Sequence, residues 1–118
     1  MKTQEVYIEK IRENILFKIG TNALENWSLI DESCEDDLWF HVNDLPSCHV
    51  VASIPNPEKY NRNEIAYIAR QGAVLCKQHS KYASQKKLPI ICSKIKDLKK
   101  TDIVGSVTTT QNAKLIYI

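Results

Sequence analysis

Apolar and polar residues alternate at two places near the start of the chain, over residues 6–8 and 15–19. An alternation with a period of two is typical of half-buried strands. The polar residues 12–14 can reverse the chain between them, so the pattern predicts a β-hairpin over residues 5–19. Gly20 follows directly and indicates either a positive φ or a close backbone approach at the end of this hairpin.

A second hairpin is predicted where residues 38–42 and 48–54, both rich in strand formers, enclose a stretch of turn-forming residues. A register that pairs residues whose numbers sum to 90 places Trp39, His41 and His49 on one face of the sheet. The apolar residues of both strands then lie on the other face and form the core. Because a slip of one residue would reverse the two faces, this arrangement depends on the register.

One long helix is predicted over residues 62–84, because apolar residues recur there at helical spacing. Asn61 and Glu64 have the spacing of a capping box at its start. Gly72 lies on the apolar stripe and costs about 1 kcal/mol relative to alanine in a helix. Its presence there indicates that the helix lies close against the sheet.

The last third of the chain predicts further strands. A short strand is expected over residues 90–92, a basic loop or sheet edge over 94–101, and a third hairpin from residues 105–110 and 114–118. The predicted fold is therefore one α+β domain over residues 1–118, an antiparallel sheet of hairpins packed on one long central helix.

Composition agrees with a folded domain, since 43% of the 118 residues are hydrophobic and 25% are charged. No apolar run is long enough to cross a membrane and no signal-peptide pattern is visible, so we expect a cytoplasmic protein without membrane insertion. The four cysteines are scattered and are expected to be free thiols. A zinc site that uses Cys48 and His49 is a weaker alternative, because the spacing does not match known zinc sites.

Charge is distributed unevenly along the chain. Residues 1–59 carry a net charge of −6, whereas residues 60–118 carry +8. Either one surface is basic and binds a polyanion, or antiparallel elements mix the two halves and the charges cancel. The acidic run over residues 31–37 is expected to be a solvated loop.

Lysines dominate the basic half of the chain, which has few arginines. Lysine acts as a point charge on phosphate and rarely reads bases, so this composition favours contacts to a nucleic-acid backbone, although lysines are also common on solvated faces. The candidate phosphate contacts are Lys77, Lys81, Lys94, Lys96, Lys99 and Lys100.

The cluster of Trp39, His41 and His49 has three interpretations. It is structural, or it stacks bases and binds phosphates, or it serves catalysis or a metal and needs further groups. The sequence contains no nucleophile elbow, P-loop, dinucleotide fingerprint or zinc-protease motif. We therefore expect no catalysis, no cofactor and no metal.

These motifs together resemble a known family. Residues 37–41 (Asp-Leu-Trp-Phe-His) and 46–51 (Pro-Ser-Cys-His-Val-Val) are similar to the signature of the NFACT-R domain. Residues 20–26 upstream, with Gly20, Asn22 and Asn26, resemble a further element of the family. So do residues 98–105 downstream, with Lys99 and Lys100. The residues at these positions are most similar to those of the coiled-coil-domain-containing 25 branch of the family.

The resemblance implies a function in nucleic-acid binding. NFACT-R domains stand at the end of large ribosome-quality-control factors, where they are proposed to bind RNA. The eukaryotic branch is implicated in DNA binding. Applied here, it implies RNA as the partner (tRNA or rRNA among the candidates) or else DNA, and a partner in the translation machinery. Its signature positions here are Gly20, Asn22, Asn26, Asp37, Trp39, His41, His49, Lys99 and Lys100.

Two observations limit this transfer. Thr21 replaces the usual basic residue of the family, and Ser47 and Cys48 replace its glycine and small residue. A protein-interaction or adaptor module that docks on a translation or membrane partner is therefore the alternative. The acidic residues 31–37 would be its natural contact surface.

Overall fold

The computed structural model describes residues 1–118 and contains two α-helices and eight strands. The helices are α1, Ala23–Glu32, and α2, Arg62–Gln78. The strands are β1 Lys2–Ile8, β2 Glu13–Gly20, β3 Leu38–Val42, β4 His49–Ala52, β5 Pro89–Lys94, β6 Lys99–Lys100, β7 Val107–Thr108 and β8 Lys114–Tyr117. Neither helix is long and apolar enough to cross a membrane.

Six strands form one antiparallel sheet in the order β1-β2-β4-β3-β5-β8, and β6 and β7 form a separate two-stranded ribbon. In the second hairpin Trp39 lies opposite Val51 and Phe40 lies opposite Val50, so the predicted register is confirmed. The predicted antiparallel sheet is confirmed as well.

Helix α2 packs against one face of the sheet, over the main hydrophobic core. The Asn61 side chain accepts a hydrogen bond from the Glu64 backbone, and the Glu64 side chain accepts one from Asn61, which forms the predicted capping box. A Cβ atom added to Gly72 would lie 2.3 Å from the ring of Phe40. The close approach that Gly72 predicts is therefore present.

Helix α1 covers the opposite face, so the prediction of a single helix is wrong. Its Leu29 packs on Trp39, Val51 and Ile95 in a second, smaller core. Asn22 caps the helix by accepting a hydrogen bond from the Glu25 backbone N–H at 2.9 Å. The buried side chain and the cap stabilise a helix in a segment for which the sequence pattern predicts no helix.

The acidic run is correspondingly only in part a loop. Asp31 and Glu32 belong to α1, and Asp37 is buried with 4% of its surface exposed. The Asp37 carboxylate accepts hydrogen bonds from the backbone N–H groups of Ile54 at 2.8 Å and Cys34 at 2.9 Å. Asp37 thus satisfies backbone donors that would otherwise be buried without partners.

Helix α2 ends at Gln78, six residues earlier than predicted. The Ser80 hydroxyl donates to the carbonyl of Lys77 and accepts from the backbone N–H of Tyr82, which replaces the helical pattern by a turn. Tyr82 still packs on the core, so the apolar periodicity continues beyond the end of the helix.

The other two hairpins also differ from the predictions. The third hairpin does not form, because β7 pairs with β6, whereas β8 pairs with β5 at the edge of the sheet. In the first hairpin the chain reverses over residues 9–12, not 12–14, and the strands begin at Lys2. Ile11 is buried within this turn and belongs to the core.

Candidate functional site

Trp39, His41 and His49 form a compact cluster on the face of the sheet that α1 covers in part. The rings of Trp39 and His41 are stacked, with centroids 5.7 Å apart and an angle of 3° between their planes. The His49 ring stands edge-on to both, with its centroid 5.3 Å from that of Trp39 and 5.0 Å from that of His41. The predicted proximity of these three side chains is confirmed.

The Trp39 indole fixes the protonation of His49. Its Nε1–H donates to Nδ1 of His49 at 3.0 Å, so this ring nitrogen carries no proton. Burial, and to a smaller extent the neighbouring His41, lower the pKa of His49 from its usual value to about 3. Neutral His49 therefore holds its proton on Nε2, which donates to no group of the protein.

His41 is also neutral at physiological pH. Burial lowers the pKa of its imidazole below the usual value. Unlike His49, the side chain is only half-buried. The two histidines thus present polar groups without bringing positive charge to this face.

Trp39 is 2% exposed and lies beneath the histidines. A base from solvent has no access to a ring that is buried in this way, so the geometry opposes stacking on Trp39. The indole instead positions His49 and packs on Leu29 of α1.

An open cleft of about 610 Å³ lies beside the cluster. Its walls are the start of α1, the turn between β3 and β4, and the segment that leads into β7. No lining residue is an aspartate, glutamate, lysine or arginine. The lining residues are Thr21, Asn22, Ala23, Asn26, Trp39, His41, Pro46, Ser47, Cys48, His49 and residues 103–107.

Gly20 lies against Asn26, which lines this cleft. A Cβ atom on Gly20 would lie 2.4 Å from Oδ1 of Asn26, so glycine makes room for the amide. Asn26 is 8% exposed, and its side chain forms no hydrogen bond within the protein. Burial of an amide without a partner is unfavourable, and such groups in native proteins call for an explanation.

Residues 103–107 form a further wall of the cleft, although the sequence pattern predicts a hairpin strand from residue 105 and no site in this segment. Gly105 has a φ of +85°, and a Cβ atom there would lie 2.7 Å from Cα of Ala23. The Trp27 indole donates to the carbonyl of Ser106 at 3.1 Å. Gly105 is the one signal in the sequence that could have revealed this approach to α1.

Asn26 is a signature position of the family resemblance but not a predicted binding residue. Asn22 and Asn26 are four residues apart, which puts them on the same side of a helix. Without a predicted α1, the sequence offers no reason to place these two amides together.

Three of the predicted lysines pair with the acidic segment. Lys94 and Lys96 lie 3.5 and 3.7 Å from the Asp36 carboxylate, and Lys100 lies 2.6 Å from that of Asp31. The two oppositely charged parts of the sequence therefore meet in space and cancel in part, as one of the two interpretations of the charge pattern expects.

The remaining lysines lie in different layers of the molecule. Lys77 is on α2 and donates to the carbonyl of Ile118 at 2.8 Å, and Lys81 follows the end of α2. Lys99 is exposed in β6, on the side of the sheet that carries α1, and forms no ion pair. The six lysines thus do not form one patch.

Cys48 and His49, the pair considered for zinc, are adjacent in the chain but point to opposite faces. Cys48 packs on the main core with its Sγ 3.9 Å from the carbonyl of Cys76, whereas His49 faces the cleft. No group of three or more histidine, cysteine, aspartate or glutamate side chains is arranged to hold a metal ion.

Comparison with known proteins identifies relatives of the whole domain. A family model described as the NFACT protein RNA-binding domain matches residues 5–111. The chain is 32% identical over 97 residues to a coiled-coil domain-containing protein 25 homolog from Dictyostelium discoideum. This match covers 81% of the chain and 47% of the relative, so the chain spans about half of that protein's length.

A solved structure with the same fold is the C-terminal part of the fibronectin/fibrinogen-binding protein from Streptococcus suis. It superposes with a TM-score of 0.78 over 100% of this chain and 45% of the other, at 23% identity. At this level of identity the likeness concerns the fold alone.

Proposed function

Because the chain belongs to the NFACT RNA-binding domain family, we propose that it is a non-catalytic nucleic-acid-binding module that prefers RNA to DNA. The observation that carries this proposal is the family match, which extends over residues 5–111 and so includes nearly the whole fold. The family context suggests a cytoplasmic RNA of the translation machinery, tRNA or rRNA, and a partner within that machinery.

The proposed phosphate contacts are the four lysines within residues 94–100. Lys100 lies over the Trp27 ring with Nζ 5.0 Å from its centroid, and Trp27 in turn holds residues 103–107. Lys94, Lys96 and Lys99 are exposed nearby in the chain. Ion pairs of exposed side chains are weak and readily exchanged, so a phosphate can replace Asp31 or Asp36 as the lysines' partner.

Asn22, His41 and His49 are proposed to contact the nucleic acid from within the cleft, which all three line. Lys77 and Lys81, which belong to the α2 layer, would contribute only if the nucleic acid reaches around the edge of the sheet. We therefore expect the two groups of lysines to contribute unequally.

Salt-dependent binding tests the proposal. Affinities for a structured RNA, a single-stranded RNA and a DNA duplex should be measured between 50 and 200 mM salt. Several lysine–phosphate contacts predict that the affinity falls about tenfold or more over this range. Each contact releases counterions from the nucleic acid, and a higher salt concentration makes that release less favourable. Tighter binding of the DNA duplex would contradict the RNA preference.

A protein-interaction module, docking on a translation or membrane partner, is the second candidate. It is supported by three exposed apolar side chains at or near the mouth of the cleft, of which Leu24 and Ile103 are each 71% exposed and Val104 45%. The acidic segment is a poorer contact surface than expected, since Asp31 and Asp36 are already paired with lysines. Absent or salt-insensitive binding to all three nucleic acids would favour this candidate.

A further inference from the structure

We infer that the cleft binds one unpaired nucleobase, and that it does so through neutral hydrogen-bonding groups. This inference rests on the proposed function and specifies it, because it assigns bases to the cleft and phosphates to the lysines outside it. The charge of the cleft, its unused hydrogen-bonding groups and its shape support this assignment.

The cleft is unsuited to a phosphate. No lysine or arginine lines it, and His41 and His49 are both neutral at physiological pH. Glu25 lies beside the cleft-lining Thr21, since its carboxylate accepts hydrogen bonds from the backbone N–H and the hydroxyl of Thr21. An anion buried in the cleft would lose its hydration without gaining a counter-charge, which is unfavourable.

Two polar side chains in the cleft have hydrogen-bonding groups that the protein does not use and that a ligand can therefore contact. His49 holds a proton on Nε2 in a fixed orientation, because Trp39 occupies its other nitrogen. The Asn26 amide is more than nine-tenths buried and is bound to nothing in the protein. Both groups are held rigidly, one by the indole and the other by the close fit against Gly20.

The shape of the cleft suits a planar ligand that enters from one side. A volume of about 610 Å³ is within the range of small-molecule sites. The His41 ring is parallel to that of Trp39, is half-buried and lines the cleft, so it can offer a stacking surface to a base. Nucleobases are neutral and planar, and they carry hydrogen-bonding groups on their edges, and an unpaired base enters without the cost of unpairing and unstacking that a paired base would have to meet.

The first experiment compares two RNA oligomers of equal length, one with bases and one made of abasic ribose-phosphate. Both carry the same phosphates, so lysine contacts alone would give equal affinities. A base in the cleft predicts that the abasic oligomer binds about tenfold more weakly. This ratio should stay constant between 50 and 200 mM salt, because no charged group in the cleft takes part.

His49→Asn is the informative variant. Its amide oxygen can accept the Trp39 indole proton in place of Nδ1, but the donor at Nε2 is lost. We expect this variant to bring the two oligomers to nearly equal affinity while the fold is retained, as checked by its near-ultraviolet circular dichroism. Lys99→Gln serves as the control, since it should weaken both oligomers by the same factor.

The second experiment uses free nucleosides and inorganic phosphate, with nuclear magnetic resonance of the full chain. Adenosine, guanosine, cytidine or uridine should shift the signals of the Trp39 indole, the His49 ring and the Asn26 amide, and phosphate should not. Shifts of these signals by phosphate and not by nucleosides would overturn the inference in favour of an anion site.

The outcomes separate the inference from the proposed function. Equal binding of both oligomers, together with no nucleoside shift at the cleft, overturns the nucleobase site and leaves the RNA-binding proposal intact. If neither oligomer binds, the proposed function fails, and the nucleoside titration then decides by itself whether the cleft binds bases.

Discussion

His49 makes one internal hydrogen bond, accepting from the Trp39 indole at 3.0 Å, where the two residues are only 3% and 2% exposed. A buried donor that loses its acceptor costs about 1–3 kcal/mol. The same bond sets the tautomer of the imidazole, so a single contact both stabilises the fold and prepares the cleft.

His49→Ala should therefore lower the free energy of unfolding by about 1–3 kcal/mol, because the Trp39 N–H is left without an acceptor. His49→Asn, which keeps an acceptor, should lower it by less. Urea denaturation at pH 7 measures both. Equal losses in the two variants would show that the bond to Trp39 contributes little.

Acid should destabilise the protein through the same residue. The pKa of His49 is lowered to about 3 in the folded state. Below pH 6.5 this histidine therefore binds a proton in the unfolded chain but not in the folded chain. The free energy of unfolding should fall by roughly 1.5 kcal/mol between pH 6.5 and 5 from this group alone.

Urea titrations at several pH values measure this loss, and His49→Asn provides the reference. In that variant His41 and the carboxylates still titrate, but the contribution of residue 49 is absent. A wild-type protein whose stability changes with pH no more than that of the variant would contradict a buried, neutral His49.

At the scale of elements, the contact between α2 and the sheet depends on Gly72. Alanine would favour the helix by about 1 kcal/mol in an exposed position, but its Cβ would overlap the Phe40 ring. Phe40 is fully buried, and side chains in a close-packed core have little room to move. Packing therefore outweighs helix propensity at this position.

Gly72→Ala should accordingly destabilise the protein, by about 1–3 kcal/mol as measured in thermal or urea unfolding. Ala66→Gly, at an exposed position of the same helix, is the matched control and should cost about 1 kcal/mol through propensity alone. A stabilised Gly72→Ala protein would show that the helix can move away from Phe40.

The sequence predicts elements well where one face is continuously apolar. The second hairpin and its register follow from Phe40 and Val50 facing one way and Trp39 and His49 the other. Helix α1 could not be recognised in this way, because Leu24 is 71% exposed and much of the helix is polar. Its stability comes from the sheet beneath it.

The dependence on local patterns also explains why only part of the candidate site could be predicted. Trp39, His41 and His49 are neighbours within one hairpin, so the local pattern places them together. Residues 103–107 reach the cleft only through contacts with α1, and strand β7 is too short to show a period. Local patterns do not encode an approach between distant segments.

For the molecule as a whole, the acidic and basic halves of the chain are folded onto each other. Asp31 and Asp36 neutralise part of the lysine group that the proposed function assigns to phosphates. These pairs are exposed and contribute little to stability, but they compete with any polyanion. We therefore expect the acidic segment to limit non-specific binding.

The double variant Asp31→Asn/Asp36→Asn should bind single-stranded RNA more tightly at 50 mM salt, by several-fold, and the gain should shrink at 200 mM salt. Its free energy of unfolding should stay within about 0.5 kcal/mol of the wild type. Fluorescence anisotropy with labelled RNA measures the affinities.

Glu9→Gln/Glu58→Gln changes the net charge by the same amount and is the matched control, because neither residue pairs with Lys94, Lys96 or Lys100. An equal gain in both double variants would assign the effect to net charge, and not to release of the lysines.

The order of the strands, β1-β2-β4-β3-β5-β8, sets a sequence of events for folding. The β1-β2 and β3-β4 hairpins close short loops, whereas β8 lies at the edge of the sheet and pairs only with β5, so β5 must be in place before β8 can join. We expect β8 to join last and to open first, so its amide protons should exchange with solvent sooner than those of β3 and β4. The strands that carry Trp39 and His49 would then remain paired while the strand at the edge of the sheet opens and closes.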